Sequence, residues 1–196
     1  MNNFLIFTAN PRLNSAVNLL SKEFVKKIKT SSNKIEEINI CKAKLPSFSD
    51  FIANADNYGQ KNCKDEKMPK EILEIIKKWR NSDVITFFVP NWWGTGPAEI
   101  VDLFCWLSDE IAKFEPRKKP VGKMQNKKIF WITAGAAPKL IRKLFFKTDP
   151  EKWGKYIFSF SGAKFYSKFF DSVHMGQEKI SKKMKKEIRK FSKKIL

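Results

Sequence analysis

The sequence predicts a doubly wound α/β domain: a five-stranded parallel sheet with helices on both faces. Three observations lead to it. Short apolar runs alternate with segments of helical period from end to end. Several of those runs are continuously apolar, as strands buried on both faces are, rather than alternating. Finally, 196 residues with 42% hydrophobic content suit one core, so residues 1–196 are expected to form a single domain.

Taken in order, residues 4–8 read as the first strand, and Val17, Leu20, Phe24 and Ile28 recur at the three- and four-residue spacing of a packed helix. Residues 35–41 alternate in part and form the second strand. Residues 42–68 contain Pro46, Gly59 and no clear period, and are expected to be an excursion beside the active site. Ile72, Ile75, Ile76 and Trp79 mark a helix before the third strand, 84–89. Ile100, Phe104, Leu107 and Ile111 mark the helix after it. The fourth strand is 128–133, rich in β-branched and aromatic residues, and the fifth is 164–170. Ile180, Met184, Ile188, Phe191 and Ile195 form the inner stripe of a last helix whose lysines make up its wet face.

The formal net charge is +19 with a pI of about 9.9, which raises affinity for nucleic acid, anionic membranes or phosphorylated ligands. A nucleic-acid surface is disfavoured because the lysines lie on polar faces of amphipathic helices and the tryptophans group at a strand end instead of interleaving with them. No apolar stretch approaches the ~20 residues that cross a bilayer, and the first residues lack a basic n-region, so a cytoplasmic protein is expected. Cys41, Cys63 and Cys105 are odd in number and far apart, which fits free, packed thiols. With one histidine, His174, no histidine–carboxylate metal site can be built.

In open doubly wound sheets, ligands bind beyond the carboxyl ends of the strands. The loop after the first strand contains Asn10, Arg12, Asn14, Ser15 and Ala16 and opens directly into a helix. Free N–H groups, the positive helix end and these side chains favour a phosphate there; an ordinary helix cap by Asn14 is the alternative. After the third strand come Pro90, Asn91, Trp92, Trp93 and Gly94, then Gly96 as helix cap and Pro97 as first helical residue. Two indoles beside glycines suit a flat aromatic ligand, and two core tryptophans are the alternative. After the fourth strand, the run Thr133, Ala134, Gly135, Ala136, Ala137 and Pro138 leaves room for a ligand's edge and exposes backbone donors.

These loops carry a resemblance. Ala9-Asn10-Pro11-Arg12-Leu13-Asn14-Ser15 is similar to the [AG]-[HS]-P-R-x-[DN]-S segment of flavodoxin-like NAD(P)H:quinone oxidoreductases, the group that includes modulators of drug activity and general-stress reductases. Pro90-Asn91-Trp92-Trp93-Gly94-Thr95-Gly96-Pro97-Ala98 resembles their P-x-W-W-G-x-x-P-A. Asn126-Lys127-Lys128 and Thr133-Ala134-Gly135-Ala136 keep part of G-K-K…T-T-G-G, and Phe158-Ser159-Phe160-Ser161-Gly162 resembles the segment before their fifth strand. The resemblance implies the flavodoxin-like strand order 2-1-3-4-5. It also implies FMN in preference to FAD, a homodimer with the flavin at its interface, and hydride transfer from NAD(P)H to quinone-like or nitroaromatic and azo acceptors. No catalytic acid or base is nominated, because the family's Tyr and His after the fourth strand have no counterpart here. A flavodoxin-type electron carrier and a non-enzymatic nucleic-acid binder are the alternative functions.

Overall fold

Alternation along each strand decides the two sides of the sheet. In the computed structural model, which describes residues 2–53, 68–92, 94–138, 140–141, 150–173 and 179–195, the strands are β1 (Asn3–Thr8), β2 (Lys34–Asn39), β3 (Val84–Pro90), β6 (Lys128–Ala134) and β7 (Lys164–Phe170). They form one parallel sheet in the order β2-β1-β3-β6-β7, the predicted 2-1-3-4-5 arrangement. Leu5, Phe7, Ile85, Phe87, Ile129 and Trp131 point to one side, while Phe4, Ile6, Val84, Phe88, Phe130 and Ile132 point to the other.

Helices α1 (Ala16–Ile28) and α6 (Lys182–Ser192) cover the second side with Leu20, Phe24, Ile188 and Phe191. Helices α3 (Lys70–Asn81), α4 (Ala98–Ile111) and α5 (Pro150–Phe158) cover the first. That layer is largely aromatic: Phe87 stacks on Phe7 with centroids 5.1 Å apart and meets Trp131 at 5.1 Å and Phe104 at 5.2 Å. Such pairs contribute about 0.5–1.5 kcal/mol each beyond their buried area.

Three elements depart from the sequence expectations. The segment 42–68 begins with a short helix, α2 (Phe48–Ala53), whose Phe48 and Phe51 pack on Trp106 of α4 at 5.0 and 4.7 Å. Six residues are too few to display a helical period; residues 54–67 lie outside the described residues. Helix α5, not anticipated, contains Gly154, where a Cβ would lie 2.5 Å from Trp131, so only glycine lets this helix sit on the sheet. A two-residue ladder, β4 (Ala112–Lys113) with β5 (Val121–Gly122), was also not anticipated. Within the Asn126-Lys127-Lys128 motif, Lys127 Nζ donates to the carbonyls of Arg80 and Ser82, which ties the start of β6 to the end of α3.

Among the described residues, no helix is long and apolar enough to cross a membrane.

Candidate active site

The carboxyl ends of β1, β3 and β6 are adjacent, so the three loops singled out from the sequence emerge side by side. Backbone bonds lock them together: Ala9 N–H donates to Phe88 O at 3.0 Å, and Asn91 N–H to Ala134 O at 2.8 Å.

The β1–α1 loop is braced from within. Asn10 is buried and its Oδ1 accepts from Arg12 N–H at 3.0 Å. Asn18, on the first turn of α1, donates from Nδ2 to Asn10 O at 3.2 Å and Arg12 O at 2.8 Å. Asn39, at the end of β2, donates to Asn10 O at 2.9 Å. The sequence reading missed both Asn18 and Asn39, because a polar residue on an amphipathic helix or at a strand end has no distinguishing pattern.

The helix cap is Ser15, not Asn14: Ser15 Oγ accepts from Asn18 N–H at 3.4 Å, and Asn14 is exposed. Ser15 has the extended backbone a cap requires, and its oxygen reaches the third helical N–H. Among the described residues, no partner takes the N–H of Asn14, Ala16 or Val17. Ala16 and Val17 supply orphan donors of the helix start, at the positive end of the dipole, and Asn14 lies just before the cap. Arg12 is exposed beside them.

The β3–α4 loop makes a tight turn. Trp92 and Thr95 exchange backbone bonds at 2.8 and 3.0 Å, Gly94 takes φ = 81°, and Gly94 N–H donates to Asn91 Oδ1 at 2.9 Å. A φ of that sign favours glycine. The turn holds Trp92 44% exposed, which removes the core alternative for that indole. Trp93 lies outside the described residues. Helix α4 begins one residue later than expected: Pro97 occupies the cap position, and the preceding Gly96 lies so close to Ile100 and Val89 that a Cβ there would stand 2.9 Å from each.

After β6 the expectation of exposed donors fails at Gly135. Gly135 is buried and its N–H donates to Phe170 O at 3.0 Å. The space above it holds Asn91, 3.0 Å from where a Cβ would stand, and the Phe169 ring at 3.3 Å. Thr133 is wholly buried and Ala134 5% exposed. Thr133, Ala134 and Gly135 thus form a wall, while Ala136 beyond them is exposed.

The surroundings of both described thiols favour the protonated form. Burial, then the Glu99 carboxylate beside it, pushes the Cys41 thiol up to about 12; burial and then Asp102 raise Cys105. His174 and Cys63 lie outside the described residues, among which no cluster of metal-ligating side chains occurs.

A doubly wound sheet with an open helix start and an exposed indole at its switch point defines a protein of the flavodoxin-like class. The chain belongs to the family of flavodoxin-like fold, whose profile matches residues 2–195. Among solved structures it is similar to an FMN-dependent NADH-azoreductase from Bacillus anthracis in complex with FMN, at 16% identity over 100% of this chain and 99% of that one, with a TM-score of 0.77. It is similar also to the NAD(P)H:quinone oxidoreductase from Methanothermobacter marburgensis, at 12% identity, 100% and 99% coverage and a TM-score of 0.74. A third likeness is to a flavoenzyme NAD(P)H:(acceptor) oxidoreductase from Paracoccus denitrificans, at 14% identity, 99% and 94% coverage and a TM-score of 0.63. No curated protein sequence matches the chain.

Proposed function

We propose that the chain is an FMN-dependent NAD(P)H oxidoreductase that passes hydride to quinone-like or nitroaromatic and azo acceptors, and that it works as a homodimer. The observation that carries this reading is the start of α1, where the N–H groups of Asn14, Ala16 and Val17 stand without partners beside the exposed Arg12 and one loop away from the exposed Trp92. That donor set fits a phosphate monoester, and the indole fits a flat ring system. The FMN and NAD(P)H named for the similar structures support the same assignment.

When bound, FMN supplies the ring that accepts and donates hydride, so the protein's part is to bind and orient it. Asn14, Ser15 and Ala16 would hold the phosphate with N–H and hydroxyl donors, Asn10 would keep the loop in shape, and Arg12 would add charge. Pro90, Asn91, Trp92, Trp93 and Gly94 would flank the ring, and Thr133, Ala134 and Gly135 would back its far edge. FMN is favoured over FAD because no adenine site is recognisable beside the phosphate loop among the described residues.

Purified protein should be yellow or take up one equivalent of flavin, and heat should release FMN, which the protein then reduces with NAD(P)H. A supernatant containing FAD alone, or no uptake of flavin, contradicts the assignment.

A further inference from the structure

Charge is divided unequally between the two sides of the sheet. Helices α1 and α6, side by side over one face, carry nine basic residues against two acidic ones, Glu23 and Glu187. Helices α3, α4 and α5, over the other, carry six basic residues against seven acidic. Both acids of the first face are engaged: Glu187 with Lys168 at 2.6 Å, and Glu23 with Arg189 at 2.8 Å and Lys26 at 3.3 Å. The cations left over point outward. Lys182, Lys186 and Lys190 on α6, continued by Lys193, are exposed and without a carboxylate partner among the described residues. Their spacing of four, four and three residues puts them in one stripe about 16 Å long. With Lys185 and Arg189 they border an open groove of about 570 Å³. Lys22 and Lys27 extend the charged area onto α1.

We propose that this α1–α6 face is a docking surface for an anionic lipid bilayer. Two helices lying side by side on a sheet make a broad layer, which suits a planar partner better than a cylindrical one. The face also lacks the groups that read nucleic acids. No large apolar side chain on α1 or α6 is among the exposed ones, so there is nothing for bases to stack on. Its one arginine, Arg189, is tethered through one guanidinium nitrogen to Glu23, so the outward cations are almost all lysines, which act as point charges in place of planar forks. An array of lysines alone senses diffuse negative charge, as polybasic segments do at anionic membranes, where each lysine contributes about fivefold in affinity. Ile188 and Phe191 are held in the core, so α6 docks as a rigid face and does not insert. A face of this kind would bring a reductase up to lipid-dissolved acceptors, although the docking itself does not depend on the enzymatic assignment.

Co-sedimentation of the full chain with vesicles tests it. The protein should pellet with vesicles of phosphatidylcholine containing phosphatidylglycerol, stay in solution with phosphatidylcholine alone, and be released as salt shortens the screening length. The triple variant Lys186→Glu, Lys190→Glu, Lys193→Glu should lose at least about 100-fold in partitioning. The charge-matched set Lys70→Glu, Lys77→Glu, Lys155→Glu on the opposite face should lose less than about tenfold. Should the first set melt early, the same three positions changed to Gln should keep the fold and still bind more weakly than the matched Gln set. Equal losses from the two faces would overturn the proposal, since net charge alone would then explain binding. Tighter binding, per phosphate, to a short DNA duplex than to anionic vesicles would overturn it too.

Discussion

The loops after β1 and β6 flank the same central strand and both give their first N–H to a neighbouring strand, yet only the first runs on to a helix start whose donors stand without partners. After β1, side chains from α1 and β2 take up the carbonyls of Asn10 and Arg12, which leaves the helix-start N–H groups without partners. After β6, the neighbouring strand takes the N–H of Gly135, and Asn91 and Phe169 fill the space above it. A ligand can therefore be gripped at the end of the first loop and backed by the buried Thr133, Ala134 and Gly135 at the start of the second. The ladder runs one residue past the end of both strands, at Ala9 and at Gly135; the difference is that the chain after β1 goes on directly to the start of α1, where N–H groups have no helical acceptor.

The largest expected effect on stability comes from removing the brace. Asn18→Ala deletes two bonds to buried or half-buried carbonyls and should cost about 2–3 kcal/mol of unfolding free energy. Denaturant titration checks it, and an unchanged midpoint would mean the loop holds its shape unaided. Gly135→Ala should come next, at about 1–2 kcal/mol, because a methyl group there must displace Asn91 or Phe169 in a packed wall. If that variant is as stable as the parent, the space after β6 is open and the contrast between the loops disappears.

A smaller effect concerns the seating of α1 itself, and it is visible as pH dependence. Hydrogen bonding from Arg189, followed by Lys26, holds the Glu23 carboxyl below the usual carboxylate range against the opposing effect of burial. A depressed carboxylate stabilises the fold above its unfolded-state pKa and loses that contribution as pH falls through the folded value. The parent should thus lose stability more steeply than Glu23→Gln on acidification below about pH 4.5. Parallel acid limbs in thermal melts of the two proteins would show that the pair does not fasten α1.

Most of the sheet was legible because its strands are continuous apolar runs: β1, β3 and β6 each differ by one residue at one end from the expected range, and β7 agrees at both. Helix α5 was not legible, because Gly154 looks like a breaker in sequence and becomes necessary only once Trp131 lies beneath it. At the site, the open helix start could be read locally from Asn10 to Ala16. The loss of the Gly135 donor could not, since its acceptor, Phe170, is 35 residues further along the chain. The shift of the cap from Asn14 to Ser15 is likewise a matter of backbone geometry that two adjacent cap-forming residues do not reveal.

The central claim is that the start of α1 holds the FMN phosphate, and Ser15→Asp tests it most directly. Aspartate is as good a helix cap as serine and carries favourable charge for the dipole, so the protein without ligand should melt at or slightly above the parent temperature. Against a bound phosphate, the same carboxylate removes a donor and adds repulsion, a loss of about 2–4 kcal/mol, or roughly one and a half to three decades in affinity. At an FMN concentration about 100 times the parent's dissociation constant, ligand should stabilise the parent by about 2.7 kcal/mol and the variant by less than about 1 kcal/mol. Thermal melts of both proteins with and without FMN decide the matter: a variant that gains as much from FMN as the parent does would place the phosphate elsewhere.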